Sequence, residues 1–274
     1  MTYKMIVIDM DDTLLRDDHT ISARTTKALM EAQEKGVKVV LASGRPTYAM
    51  NDYANKLQLA DYGSYILSFN GAKIINYKTK EEVFSSSLPP ETVHRLIELS
   101  QRENVWIHTY IGDTIVTGEA NEFTDIEGHI TGLPVHVVPS LKEAITEPVV
   151  KVLMVKEAEV LIKVEEKLQE ELKGQFSIMR SKPYFLEFLE TGISKGTSLN
   201  HVIKKLGISK EEVIAVGDSY NDLDMIEFAG LGVAMGNAPD DIKEKADYVT
   251  DTNMNDGVAK IIEKFVLVEE ALVE

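Results

Sequence analysis

The chain has 274 residues, 44% of them hydrophobic, with 45 acidic against 29 basic side chains, a formal charge of −16 and no cysteine. That bulk field repels polyphosphate backbones and anionic lipid, so neither nucleic acid nor a membrane surface is an expected partner; a local cation can still prepare one pocket for a small anion. Without thiols there are no disulfides, thiolate nucleophiles, iron–sulfur clusters or thiolate zinc sites.

The opening MTYKMIVIDMDD holds one short apolar run, Met5 to Ile8, too short for the core of a signal peptide, and no later stretch approaches the ~20 residues that span a bilayer. The expectation is a soluble cytoplasmic protein of one or two domains. Residues 3–9 (YKMIVID) read as a buried strand. Ser22 caps a helix that ends near Gly36, with Ala28, Leu29 and Ala32 on its inner face. Residues 37–42 (VKVVLA) form a second strand, a Pro46-led helix follows, and 64–69 (SYILSF) is a third strand. Asn70-Gly71 is the residue pair of a type I′ hairpin turn.

A hairpin-like pair comes next, and Pro89-Pro90 open a helix to about Asn104. Beyond it lie the runs VWIHTY and DTIVTG and a strand at 149–155. A charged helix over 157–173 turns Val160, Leu161, Val164 and Leu168 inward, and two strands, FSIMR and YFLEFL, follow with Tyr184, Phe185 and Phe188 as core. From Ser194 the first rhythm returns: helix 195–206, strand 213–217, helix 221–229, strand 231–235 and a final helix from about Asn255. The pattern predicts an α/β protein. Its parallel sheet, from residues 1–83 and 190–274, is covered on both faces and interrupted by an α+β domain, residues 84–189, with its own antiparallel sheet.

Ligand sites of parallel sheets lie outside the carboxyl ends of the strands. The first strand delivers Asp9, Asp11 and Asp12 there, the second Ser43, Gly44 and Arg45, the third Asn70 and Gly71, and the strand VIAVG delivers Asp218, Asn221 and Asp222. Carboxylates gathered this closely cannot all stay ionised without a cation, and an oxygen-only donor set suits a hard ion, Mg²⁺. Plainer roles exist for each residue. Asp and Thr cap turns, Asp218 and Asp222 suit a helix N-terminus, Ser43 alone is an ordinary strand-end hydroxyl, and Arg45 either contacts substrate or pairs with a surface acid. Lys195 is more telling, because a cation in the first helical turn opposes the dipole. An EF-hand loop fits poorly, since Leu14 stands where it needs Gly, and the six histidines lack zinc-site spacing.

Four motifs follow one another: DMDDTL at 9–14, ASGR at 42–45, Lys195 in SKGTSL, and GDSYND at 217–222. With VAMGNA at 233–238 they resemble the haloacid dehalogenase-like phosphohydrolases over nearly the whole chain. The place of the insert, between the second and third motifs, resembles the large-cap branch of Cof-type sugar phosphatases. The resemblance implies a Rossmann-like core and a Mg²⁺-dependent phosphatase acting on a small phosphorylated metabolite, a sugar phosphate, through an aspartyl-phosphate. It implies Asp9 as nucleophile and Asp11 as the acid for the leaving alcohol and then the base for water. Ser43 would donate to a phosphoryl oxygen, and Lys195 would offset charge on Asp9 and phosphate. Mg²⁺ would be held by Asp9, the Asp11 backbone carbonyl and Asp218, with Asp222 and Asn221 orienting its water shell or the loop. Gly44, Arg45, Asn70 and Gly71 would complete the substrate site. Asp12 stands where many members carry Gly, which puts the backbone beside Asp11 in question. The insert would close over the site with the loops around Gly118-Glu119 and at 180–183. The same motifs serve a phosphotransferase or phosphomutase, and a non-catalytic sensor of a phosphorylated ligand is the reading from another class, although a sensor needs no acid such as Asp11. The apolar run from Phe265 to Val268 fits its own core or a second subunit.

Overall fold

A computed structural model describes residues 3–268; the expected core's outermost residues, 1–2 and 269–274, lie outside the described residues. In chain order, β1 (Met5–Ile8) is followed by α1 (Ala23–Glu34), β2 (Lys38–Ala42), α2 (Asn51–Lys56), β3 (Tyr65–Ser68), β4 (Lys73–Asn76) and β5 (Glu82–Ser85). A second block comprises α3 (Pro90–Glu103), β6 (Trp106–Ile111), β7 (Thr114–Thr117), α4 (Glu122–Thr131), β8 (Val135–Val137), α5 (Leu141–Ala144), β9 (Val152–Val155), α6 (Ala158–Glu171), β10 (Phe176–Lys182) and β11 (Phe185–Glu190). The chain returns with α7 (Lys195–Leu206), β12 (Val213–Gly217), α8 (Leu223–Phe228), β13 (Leu231–Ala234), α9 (Asp240–Lys243), β14 (Tyr248–Val249) and α10 (Gly257–Phe265).

Two sheets result. The first runs β14-β13-β12-β1-β2-β3-β4-β5, parallel from β14 to β3 and antiparallel at the β4–β5 edge. Its central strand β1 sets Val7 beside both Val40 and Ala215, which brings opposite ends of the chain to one sheet edge. The second runs β10-β11-β9-β6-β7-β8 and is antiparallel except for the β7–β8 pair, a departure from the wholly antiparallel sheet expected. The α/β class is the expected one, and β5 extends the first sheet two residues past the boundary read at 83.

Side-chain alternation builds the packing. Ile6 and Ile8 of β1 cluster with Leu29 of α1 and Ile262 of α10, while Met5 and Val7 cluster with Leu199 of α7 and Met225 of α8. With helices on both faces, every β1 side chain is buried, each contributing on the order of 1.5–3 kcal/mol. In the second sheet Val152, Met154, Leu186 and Phe188 pack with α3 and α6. The opposite face, with Leu153, Val155, Phe185 and Leu189, meets Phe123 of α4 and Phe69, Ala72 and Ile193 from the first unit. By the same alternation Lys151 and Glu187 lie on the face turned toward the first sheet.

Local differences have local causes. The elements α4, β8, α5, α9 and β14 had no strong periodic signal: α4 contains Gly128, and the others run four residues or fewer. The Pro46 segment opens as a 3₁₀ turn, Thr47–Met50, before α2. Val160 faces solvent, whereas Leu161, Val164 and Leu168 are buried as expected. Phe265, Val266 and Leu267 pack on their own core, and Val268 is exposed. At the hairpin, the Ala72 N–H donates to the Phe69 carbonyl (3.1 Å) across Asn70 and Gly71, with φ of 54° and 91°. Phe69 also has positive φ, so the ladder stops at Ser68–Lys73. Gly71 is required twice: its φ is left-handed, and a Cβ there would lie 2.5 Å from the Ser194 carbonyl oxygen. Gly71→Ala is therefore expected to lower stability by about 2–3 kcal/mol in denaturant unfolding; an unchanged midpoint would contradict the close α7 contact.

Candidate active site

Asp9 is the first residue past β1, and its N–H donates to the Val216 carbonyl at 3.0 Å, which fixes it beside the end of β12. Lys195 begins α7 behind a capping box formed by Ser194 and Thr197. Its Nζ donates to Asp9 Oδ1 at 2.5 Å and to Asp222 Oδ1 at 2.6 Å, with no solvent exposure. The other Asp222 oxygen accepts from the N–H groups of Asp218 (3.1 Å) and Ser219 (3.0 Å). Asp218 Oδ1 in turn accepts from the Thr13 hydroxyl at 2.7 Å. One lysine thus fastens three segments that are far apart in the chain.

One carboxylate oxygen from each of Asp9, Asp218 and Asp222 lies within 4.8 Å of the others. Burial and then the Asp222 charge push Asp9 up to about 7, against the pull of Lys195. Burial, followed by Asp9 and Asp222, pushes Asp218 well above the usual carboxylate range. Lys195 goes the other way: burial disfavours its charge, but Asp222 and Asp9 more than compensate and hold it protonated. The cluster is short of positive charge and offers oxygen only, which fits a hard divalent cation. Asp222 spends its oxygens on Lys195 and the loop amides, so Asp9 and Asp218 are the carboxylates with an oxygen to offer.

Asp11 turns away from this trio. Arg45 grips it in a bidentate pair, Nε to Oδ2 at 2.8 Å and Nη2 to Oδ1 at 2.6 Å. Burial raises the Asp11 carboxyl, but the Arg45 hydrogen bonds and charge outweigh it and hold Asp11 below its ordinary value. Of the two partners weighed for Arg45, the structure supplies an acid, and it belongs to the site rather than the surface. Asp12 has φ of 62°, the left-handed region that Gly favours and Asp tolerates, and its carboxylate faces Lys182 at 4.0 Å. Ser43 is buried with Oγ accepting from the Arg45 N–H at 3.1 Å.

These groups floor a cavity of about 320 Å³ between the two sheets. Asp9, Asp11, Ser43, Gly44, Arg45, Asp218 and Asn221 line it; Asn70, Gly71, Lys195 and Asp222 do not, the last two because they are buried against each other beneath Asp9. Asn70 is fully buried and accepts from Asn221 Nδ2 at 3.0 Å, while Gly71 packs on Ser194 and Ser198. The expected loop at 180–183 lines the opposite wall. The loop at Gly118-Glu119 does not: it borders a separate cleft with Ile97 and Leu141, because α4 occupies the face turned to the site. Sequence reading missed Glu127 of α4, Lys151 and Glu187, all on the cavity wall. For the last two a signal existed, a single charge inside an apolar strand run (VVKVLMV and FLEFL).

The sequence model of the haloacid dehalogenase-like hydrolases matches residues 6–262. The chain is similar to a solved haloacid dehalogenase-like hydrolase from Bacteroides thetaiotaomicron, with 44% identity and a TM-score of 0.86 over 96% of this chain and 99% of that one. It is also similar to the solved subclass IIB sugar phosphatase BT4131, with 28% identity and a TM-score of 0.82 over 96% and 98% of the two chains. The Bacillus subtilis 5-amino-6-(5-phospho-D-ribitylamino)uracil phosphatase YcsE is 36% identical over 267 residues, 96% of each protein. The chain belongs to the haloacid dehalogenase-like hydrolases, in the Cof-type branch with a large inserted cap.

The raised Asp9 pKa sets a pH dependence. In metal-free protein the proton held by folded Asp9 stabilises the fold fully below the unfolded carboxylate range, and that contribution is lost as pH rises through about 7. Thermal unfolding in chelator is expected to show stability falling from about pH 4 to 7, less steeply in Asp9→Asn, and added divalent cation to raise Tm more at pH 7 than at pH 5. A cation effect independent of pH would contradict the assignment.

Proposed function

We propose that this phosphoric monoester hydrolase is a magnesium-dependent phosphatase that moves the phosphoryl group of a small phosphorylated metabolite, a sugar phosphate, first to Asp9 and then to water. The observation that carries the reading is Lys195, buried between Asp9 and Asp222 beneath a cavity that Asp9 lines and the second sheet roofs. A phosphomonoester dianion repels a carboxylate nucleophile, so the site must supply positive charge and in-line placement. Lys195 gives one charge and fixes the orientation of the Asp9 carboxylate that attacks phosphorus. Magnesium, held by Asp9 and Asp218 with the Asp11 backbone carbonyl, would add positive charge at the phosphoryl oxygens when bound.

As the new oxygen–phosphorus bond forms, the bond to the leaving alcohol breaks and its electron pair stays on the alcohol oxygen, which takes a proton from Asp11. Asp11 then accepts a proton from the water whose oxygen attacks the aspartyl-phosphate, releasing Asp9 and inorganic phosphate. Arg45 keeps Asp11 ionised in the structure described. Transfer of that guanidinium to an incoming phosphoryl oxygen would bind the substrate and free Asp11 to carry the proton. Ser43 would donate to a second phosphoryl oxygen.

The division into a catalytic core, 1–83 and 190–274, and a cap, 84–189, that excludes water and selects the alcohol is part of the same proposal. The cap wall mixes a carboxylate (Glu127) with cations (Arg180, Lys182), which suits hydroxyls that both donate and accept. Relatives named as a sugar phosphatase and as a phosphatase of a phosphoribityl compound support that choice, and a cytoplasmic setting goes with it. A phosphate-release assay over sugar, nucleotide and cofactor phosphates is the test. Turnover is expected with magnesium, stopped by chelator and restored on re-addition. Asp9→Asn is expected to lose about 10³-fold or more in kcat with its fold intact. Silence across the panel, or substantial hydrolysis by the folded variant, would overturn the reading.

A further inference from the structure

Two charged side chains of the cap have no part in the chemistry above. Lys151, the residue before β9, is 1% exposed, and Glu187 on β11 is 2% exposed. Burying an ion pair is a weak source of stability, because desolvation offsets the attraction. Their contacts point to another role.

In the β11–β9 register Glu187 stands opposite Leu153, so Lys151, two residues earlier, is its diagonal neighbour on the face toward the core. Lys151 Nζ donates to Glu187 Oε2 at 2.9 Å and, across the boundary, to the Gly44 carbonyl at 2.8 Å. The same Glu187 oxygen accepts from Asn70 Nδ2 at 2.7 Å, and Oε1 accepts from the Ser181 hydroxyl at 2.6 Å. Asn70 then receives Asn221 Nδ2 through its own side-chain oxygen at 3.0 Å. The linkage reaches two loops of the core: Gly44 lies between Ser43 and Arg45, and Asn221 between Asp218 and Asp222. It also closes tightly around Gly44, where a Cβ would come within 3.3 Å of Asn70 Nδ2 and 3.4 Å of Glu187 Oε1.

We propose that Lys151 and Glu187 are positioning residues that give the 43–45 and 218–222 loops their working geometry only while the cap is docked on the core. The proposal rests on the reading of Ser43, Arg45 and Asn221 as phosphoryl-handling groups. Catalysis is thereby tied to closure through backbone and amide contacts that are independent of the alcohol in the cavity. Both residues also line the cavity, so the competing role is recognition of that alcohol. The two roles differ in what they change. Positioning acts on kcat for every substrate alike; recognition acts on KM and on the choice between substrates.

The test compares the full-length protein with Lys151→Met, Lys151→Arg and Glu187→Gln. Hydrogen–deuterium exchange is read at residues 43–45 and 70, and steady-state kinetics with magnesium use p-nitrophenyl phosphate and glucose 6-phosphate. Lys151→Met is expected to speed exchange at 43–45 and 70 by ~10-fold or more while β9 and β11 stay protected. It is expected to lower kcat by a common factor of ~10-fold or more for both substrates with KM nearly unchanged, and Lys151→Arg to recover much of the loss. Glu187→Gln, which keeps the shape, is read in the same way if Lys151→Met does not fold. Unchanged exchange at 43–45, faster exchange confined to the cap strands, or a KM effect on the sugar phosphate alone would each overturn the proposal. If the wild-type protein released no phosphate, the functional reading would fail and the exchange pattern alone would decide the linkage.

Discussion

A lysine ammonium cut off from water survives only where carboxylates surround it, and the placement of the whole site depends on that constraint. Lys195 occupies the one turn of α7 where the helix dipole opposes it, so its position is set by Asp9 and Asp222 rather than by the helix. Those two acids arrive from β1 and from the loop after β12, strands adjacent in the sheet but from opposite ends of the chain. Asp222 carries the constraint onward by holding the amides of Asp218 and Ser219. Three carboxylates around one cation still leave a deficit of positive charge, which adds to burial, the larger cause, in raising the Asp9 and Asp218 pKa values.

Much of this was legible in the sequence because buried parallel strands are continuous apolar runs, and the residues just after each run must gather at one edge of the sheet. Asp9, Ser43, Arg45, Lys195, Asp218 and Asp222 were placed by that rule together with the four motifs. Pairing within the site was not legible. Arg45 could as well have met a surface acid, and only the turn after β1 brings Asp11 into its fork. Gly71 was read as a substrate contact, but its reason lies in the close approach of α7. In the cap the alternation around Lys151 and Glu187 puts each on a face with apolar neighbours, although neither was singled out from the sequence. Which face looks onto the core depends on how the two sheets meet, and no local pattern encodes that. α4 was lost for a simpler reason: Gly128 and the polar first turn blur its periodicity, and Glu127 was lost with it.

A net charge of −16 and the binding of an anion are in conflict, and the side chains of the cavity reduce that conflict without removing it. Arg45, Lys151, Arg180 and Lys182 line the cavity, with Lys195 beneath it, but Asp9, Asp11, Asp12, Glu127, Glu187 and Asp218 line it too, so the wall carries more negative than positive charge and favours a bound cation. Lys182 reaches from the cap toward Asp12, and Asp12 itself occupies a backbone conformation that Gly would adopt more freely.

The most direct measurement is chemical trapping of the covalent state: a single turnover with excess enzyme and a magnesium-supported substrate, quenched in acid within the catalytic cycle and mapped by peptide mass spectrometry. A phosphoryl group on the peptide that contains Asp9, absent when substrate is omitted and discharged by hydroxylamine, is the expected result. Complete conversion of substrate to inorganic phosphate with no labelled peptide at any quench time, or a label on a different carboxylate, would contradict the placement of the nucleophile beside Lys195.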